Sequence, residues 1–148
     1  MTVLANIKAV LEADSTLLAT ATGGIYDFNE TGRLGINRTT VPGAFDSNLI
    51  IKPCVLVKLR SETPDQVLMD DPLQYVSLIG IYEFWCYEDN GFTNIDTMLA
   101  RIYTLMQGTQ VAGTFQVHWM GDATPFRDDV LDANVNRGDY MATVKRSA

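Results

Sequence analysis

Residues 74–88 read QYVSLIGIYEFWCYE, and this stretch decides the fold. Its β-branched and aromatic side chains suit a pleated strand. The run is longer than the usual five or six residues, and Gly80 is a natural site for a bulge or bend. Tyr75, Ile79, Ile81, Tyr82, Phe84, Trp85 and Tyr87 occupy both phases of the alternation, so both faces of this expected central strand are apolar. Helices can cover one face of a sheet in a small domain. The other face then meets either a second subunit or another part of the chain.

Working outward, Pro53 opens a preceding strand in which Val55, Val57 and Leu59 alternate with Cys54, Leu56 and Lys58. Residues 61–72 read as a polar connection. After the run, Asn90-Gly91 marks a turn. Ile95, Met98, Leu99, Ile102, Leu105 and Met106 then fall at helical spacing up to Gly108, with Thr93 or Asn94 as expected cap and Asp96 in the first turn. Phe115, Val117 and Trp119 alternate with Gln116, His118 and Met120, which predicts a strand with one apolar face. An acidic connection over 121–137 leads to a closing strand on Tyr140, Ala142 and Val144. At the other end, Val3, Leu4, Ile7, Val10, Leu11, Leu17 and Leu18 form a helical stripe, broken near Asp14, which can cap a second short segment. Gly23-Gly24 ends it, and Ile25 to Phe28 is a short strand.

Residues 29–52 show neither period and hold Gly32, Gly35, Pro42 and Gly43, so they predict a long loop. Leu34, Ile36, Val41 and Phe45 are too apolar for a solvent linker. The loop is expected to dock. The element order predicts an α+β domain over 1–148: a mostly antiparallel sheet of four to five strands, two main helices on one face, and a long loop between the first and second strands.

The chain has 148 residues, 47% hydrophobic and 20% charged, with a formal charge of −7. Such a surface repels phosphate, which disfavours a nucleic-acid reader and anionic membranes. Cys54 and Cys86 lie in apolar runs and read as small buried residues, not a disulfide framework. The first fifteen residues lack the features of a signal peptide, and no stretch approaches the ~20 apolar residues that span a bilayer. A soluble protein, intracellular when made, is expected.

Catalytic signals are absent from the pattern. The single histidine, His118, sits on the polar phase of its strand and reads as a surface or interface residue. Asp122, Asp128, Asp129, Asp132 and Asp139 form a solvated acidic stretch, or a weak divalent site at a subunit contact; Asp70-Asp71 has the same status. Gly32 and Gly35 lack the lysine and helix of a nucleotide loop. No catalytic, cofactor-binding or metal residue is assigned.

LEADSTLLATATGGIYDF, PCVLVKLRSETPD, YVSLIGIYEFWCYED and NIDTMLARIYTLMQG together resemble the tail-terminator, or tail-completion, family of long-tailed bacteriophages. The matching positions are Ala13, Asp14, Leu17, Ile25, Tyr26 and Asp27; Pro53, Val55 and Val57; Phe84, Trp85 and Cys86; and Ile95, Leu99 and Ile102. The 29–52 loop is longer than that family's pattern. The resemblance implies a non-enzymatic virion assembly protein without cofactors, made in the host cytoplasm and placed at the head-tail joint. It implies a homo-oligomeric ring, usually a hexamer, that caps the tail tube, stops its polymerisation, meets the head connector protein and lets DNA pass its channel without specific binding. A head-completion or connector ring is the alternative within the virion; a small ligand-binding domain or enzyme is the alternative from another class. Arginine and aromatic anchors favour interfaces, so Phe28, Arg33, Ile36, Arg38, Phe45, Trp85 and Tyr87 are the expected interface residues.

Overall fold

A computed structural model describes residues 3–64 and 75–147. The apolar run forms β3 (Tyr75–Glu88), flanked on one side by β2 (Cys54–Pro64) and on the other by β6 (Ala133–Ser147). With β1 (Ile25–Asp27), β4 (Thr114–Asp122) and β5 (Phe126–Asp128), they make a six-stranded sheet of order β1-β2-β3-β6-β4, in which β5 also pairs with β6. Only β1 and β2 run parallel; the other pairs are antiparallel. Gly80 is not a bulge. The register shift lies on β2 between Leu59 and Ser61, which lifts Arg60 out of the ladder. Gly80 instead gives room to a neighbour: a Cβ there would lie 2.8 Å from the Tyr82 ring, which folds back over the glycine.

Three helices, α1 (Val3–Glu12), α2 (Ser15–Thr20) and α3 (Thr93–Met106), pack on one face. Leu4, Ile7, Leu11, Leu17, Ile95, Met98 and Ile102 meet Val55, Val57, Tyr82, Phe84, Cys86 and Tyr140 there. The architecture is α+β, as the element order predicts. Asp14 caps α2 by accepting from the Leu17 amide at 2.8 Å, and Arg101 of α3 grips the same carboxylate with Nε at 2.8 Å and Nη2 at 2.7 Å. Thr93 and Asn94 do not cap α3. Glu88, at the end of β3, reaches forward and accepts from the amides of Asn94 (3.0 Å) and Ile95 (3.2 Å), so strand and helix are tied by one buried carboxylate.

The Arg101 fork, with the Leu17 amide, holds the Asp14 carboxyl down at about 2. A depressed carboxyl stabilises the fold in full above its unfolded value and loses that contribution as pH falls through the folded value. Urea midpoints measured between pH 5 and pH 2 are therefore expected to fall less steeply in Asp14→Asn than in the wild-type chain.

The second face is where the loop goes. Ile36, Val41, Ala44, Phe45 and Ile51 close over Cys54, Leu56, Tyr87, Ala133 and Val135, giving a second core on the side opposite the helices. Of the two expected covers for this face, the chain's own loop takes this half. Cys54 and Cys86 are both buried free thiols, one in each core, so the sheet lies between them.

Two strand expectations need correction. A bulge between Thr114 and Val117 breaks the alternation of β4, so Thr114 and Val117 are buried while Phe115 is 56% exposed; Trp119 keeps the phase of Val117 but is 45% exposed. The acidic stretch 121–137 is not simply a connection, since it contains β5 and the first residues of β6. Ser61 to Pro64 extend β2; the rest of the polar connection, with Asp70-Asp71, lies outside the described residues.

Candidate functional site

Above the loop-covered half, the second face carries charge. The cross-strand row Lys58, Glu83, Asp139 lies beside the row Leu56, Trp85, Arg137. Because Arg60 is lifted out of register, its guanidinium can turn back over the sheet: Nε donates to Glu83 at 2.9 Å and Nη2 to Asp139 at 2.7 Å. The Trp85 indole N–H donates to Glu83 at 3.2 Å, and Arg137 lies 3.5 Å from Glu83 and 3.2 Å from Asp139. Lys58 Nζ sits 4.3 Å from the centre of the Trp85 ring and 5.3 Å from that of Phe28, in range of the attraction between a cation and a ring face. Arg137 lies 5.3 Å from the same Trp85 ring, and Phe126 meets Trp85 edge-on at 6.1 Å. Three cations thus share two carboxylates around one half-buried indole. Burial pushes the Lys58 ammonium down, with Glu83 opposing that shift.

The expected interface residues divide into three groups. Phe28 and Trp85 come together through Lys58. Ile36, Phe45 and Tyr87 are buried in the loop-side core, where they hold the loop to the sheet; Arg38 pins that loop, donating to the carbonyls of Leu49 (3.1 Å) and Leu131 (3.3 Å) while lying 4.9 Å over Phe45. Arg33 stands apart, in a left-handed turn at φ 62°, on the wall of a 420 Å³ cavity with Phe28, Leu59, Glu62 and Tyr82. The Tyr82 hydroxyl on that wall is buried and has no hydrogen-bond partner among the described residues.

At the opposite edge of the sheet, α3 and β4 enclose a 530 Å³ groove lined by Asp96, Leu99, Tyr103, Trp119, Asp122 and Asn136. Tyr103 and Trp119 meet edge-to-face at 5.5 Å, and the Trp119 indole donates to Asp122 at 3.0 Å. His118 is exposed on β4, opposite Met141. Among the described residues, no three His, Cys, Asp or Glu side chains gather as a metal site, and no helix is long and apolar enough to cross a membrane.

The sequence matches no protein-family model and no curated protein. Among solved structures, the chain is similar to one from the virion of a native gene transfer agent particle, with a TM-score of 0.65 and 16% identity over 97% of this chain and 94% of that one. The two chains share a fold.

The sequence reading missed Lys58, Arg60, Glu83, Arg137 and Asp139 as a group, and Asp96, Tyr103 and Trp119 as a groove. One signal was available for the first: Glu83 is the only charged residue between Tyr75 and Tyr87, and a carboxylate in mid-strand needs cations beside it. The second depends on α3 standing beside β4, a tertiary placement that no local spacing reveals.

Proposed function

We propose that this protein is a non-enzymatic virion assembly protein, a ring-forming tail terminator that caps the tail tube, stops its growth and joins it to the head connector. The observation that supports this reading is the fold likeness to a chain of a phage-like virion particle across nearly the whole of both chains. The four sequence stretches that resemble the tail-terminator family agree with it. Apolar side chains exposed on the loop (Leu34, Leu49, Ile50) and on β4 (Phe115, Trp119, Met120) supply the two separate patches that a head-to-tail ring needs. Of the expected anchors, Phe28, Arg33, Arg38 and Trp85 keep surface to offer a neighbour or the tube, although the Arg38 guanidinium already bonds within the chain. A ring of chains each carrying −7 also presents DNA with a repelling wall and no grip.

The test is the solution mass of the 16.4 kDa chain across a concentration range, followed by electron microscopy. A shift toward six copies, with closed rings that halt elongation of tail-tube subunits, is expected. A strict monomer that leaves tube growth unchanged would overturn the reading.

A further inference from the structure

One row of the sheet links two features at its opposite edges. Leu59, Tyr82, Tyr140 and Trp119 are register partners across β2, β3, β6 and β4. At the β2 end, the row opens into the cavity that Arg33 walls. At the β4 end, it opens into the groove of Trp119, Tyr103, Asp96 and Asp122. The two features stand at the same height and at opposite edges.

Their chemistry is complementary. Arg33 and the 55% exposed Leu34 sit on a turn formed by two consecutive left-handed residues, Gly32 (φ 67°) and Arg33 (φ 62°). The buried Thr31 hydroxyl is hydrogen-bonded to the carbonyls of Phe28 and Leu34, and the Arg33 amide donates to Phe28 at 2.8 Å, so the turn is held in shape before any partner arrives. Among the described residues Arg33 has no ion-pair partner, although Glu62 lines the same cavity. Asp96 and Asp122 have no cation partner among those residues either, and the Trp119 indole fixes one Asp122 oxygen. Two carboxylates beside two half-exposed rings suit a guanidinium, by charge-assisted hydrogen bonds and by cation–ring attraction.

We infer that the Arg33-Leu34 turn of one copy docks into the Asp96/Asp122/Trp119 groove of the next copy. The occupant of the groove is a second copy of this chain. Such a contact uses a different patch on each partner, so it repeats from copy to copy and closes a ring when the rotation per step divides a full turn. It rests on the ring reading above and adds its polarity and its contact residues.

Solution mass decides it, using the full-length chain and three variants: Arg33→Glu, Asp96→Lys with Asp122→Lys, and Leu34→Asp. Circular dichroism and thermal melting confirm that each is folded; Leu34→Asp alters only an exposed side chain and keeps the test alive if a charge reversal fails to fold. Each variant is expected to raise the concentration for half-assembly more than about tenfold. In an equimolar mixture of Arg33→Glu with the double-lysine chain, each reversed turn meets a reversed groove and each wild-type turn a wild-type groove, so rings of alternating chains are expected although neither variant assembles alone. Joining all three charge reversals in one chain is expected to restore rings. A wild-type chain that forms rings while the variants do so equally well overturns the contact and leaves the ring reading standing. A mixture that forms no rings under conditions where the wild-type chain does also overturns the contact. A wild-type chain that stays monomeric at every concentration overturns both.

Discussion

Phe84→Ala is expected to cost about 3–5 kcal/mol of unfolding free energy, a large share of the ~5–15 kcal/mol that holds a native domain. Phe84 is fully buried and meets Tyr140 edge-on, with ring centres 5.0 Å apart. Its register partners are Val57 on β2 and Gly138 on β6. The ring fills the middle of the helix-side core, so truncation opens a void there. The helices above and the continuous ladders on both sides resist collapse, which puts the expected loss toward the top of the range. Urea unfolding checks it: the midpoint should drop while the slope stays the same. Phe115→Ala is the contrast, because that ring is exposed and its loss should stay within about 0.5 kcal/mol. Equal effects from the two substitutions would mean that the helix-side core is wrongly placed.

That contrast also shows which parts of the fold could be read from the sequence. Apolar spacing depends on local geometry, so the helix stripe through Ile7 and Leu11, the Asp14 break and the strand from Tyr75 to Glu88 were all legible. Phe115 was not. It shares the phase of Val117, and only a bulge, which depends on how β4 meets β6, turns it to solvent. The same limit explains Glu88. A residue at a strand end gives no local hint that it caps a helix whose first residue lies five positions further on. Thr93 and Asn94 fitted the local rule, but a carboxylate already fixed by the strand occupies the position they would have used.

For the site, the residue types were legible and their placement was not. Aromatic and arginine residues of the loop pointed to contacts, and contacts they make. Phe45 and Arg38 make theirs within the chain, because a loop of this length can fold back over an apolar sheet face at little entropic cost in closure. Arg33 stayed outside because the left-handed turn carries it away from that core. No spacing rule separates Arg33 from Arg38, five residues apart in one loop. The structure separates them by where each guanidinium finds an acceptor.

Glu83→Ala carries the second large expected effect, a loss of about 2–3 kcal/mol. The side chain is 8% exposed and is the acceptor shared by Arg60, Trp85 and Arg137, with Lys58 as its register partner. Removing it leaves three cations facing one carboxylate, Asp139, on a half-covered face. Uncompensated charge of this kind costs more than the pair itself contributes, and the partial exposure of Arg60 and Arg137 keeps the loss below that of a fully buried pair. Glu83→Gln keeps the shape and one accepting oxygen, so it should lose only about 1–2 kcal/mol. Raising the salt from 0.05 to 0.5 M should recover part of the alanine variant's deficit by screening the cations, while a deficit caused by a cavity, as in Phe84→Ala, should not respond. The comparison reaches assembly as well. The cluster lies on the face opposite the Arg33 turn and the β4 groove, so Glu83→Ala should melt earlier yet reach the same ring mass below its melting point, whereas Arg33→Glu should keep its stability and lose the ring.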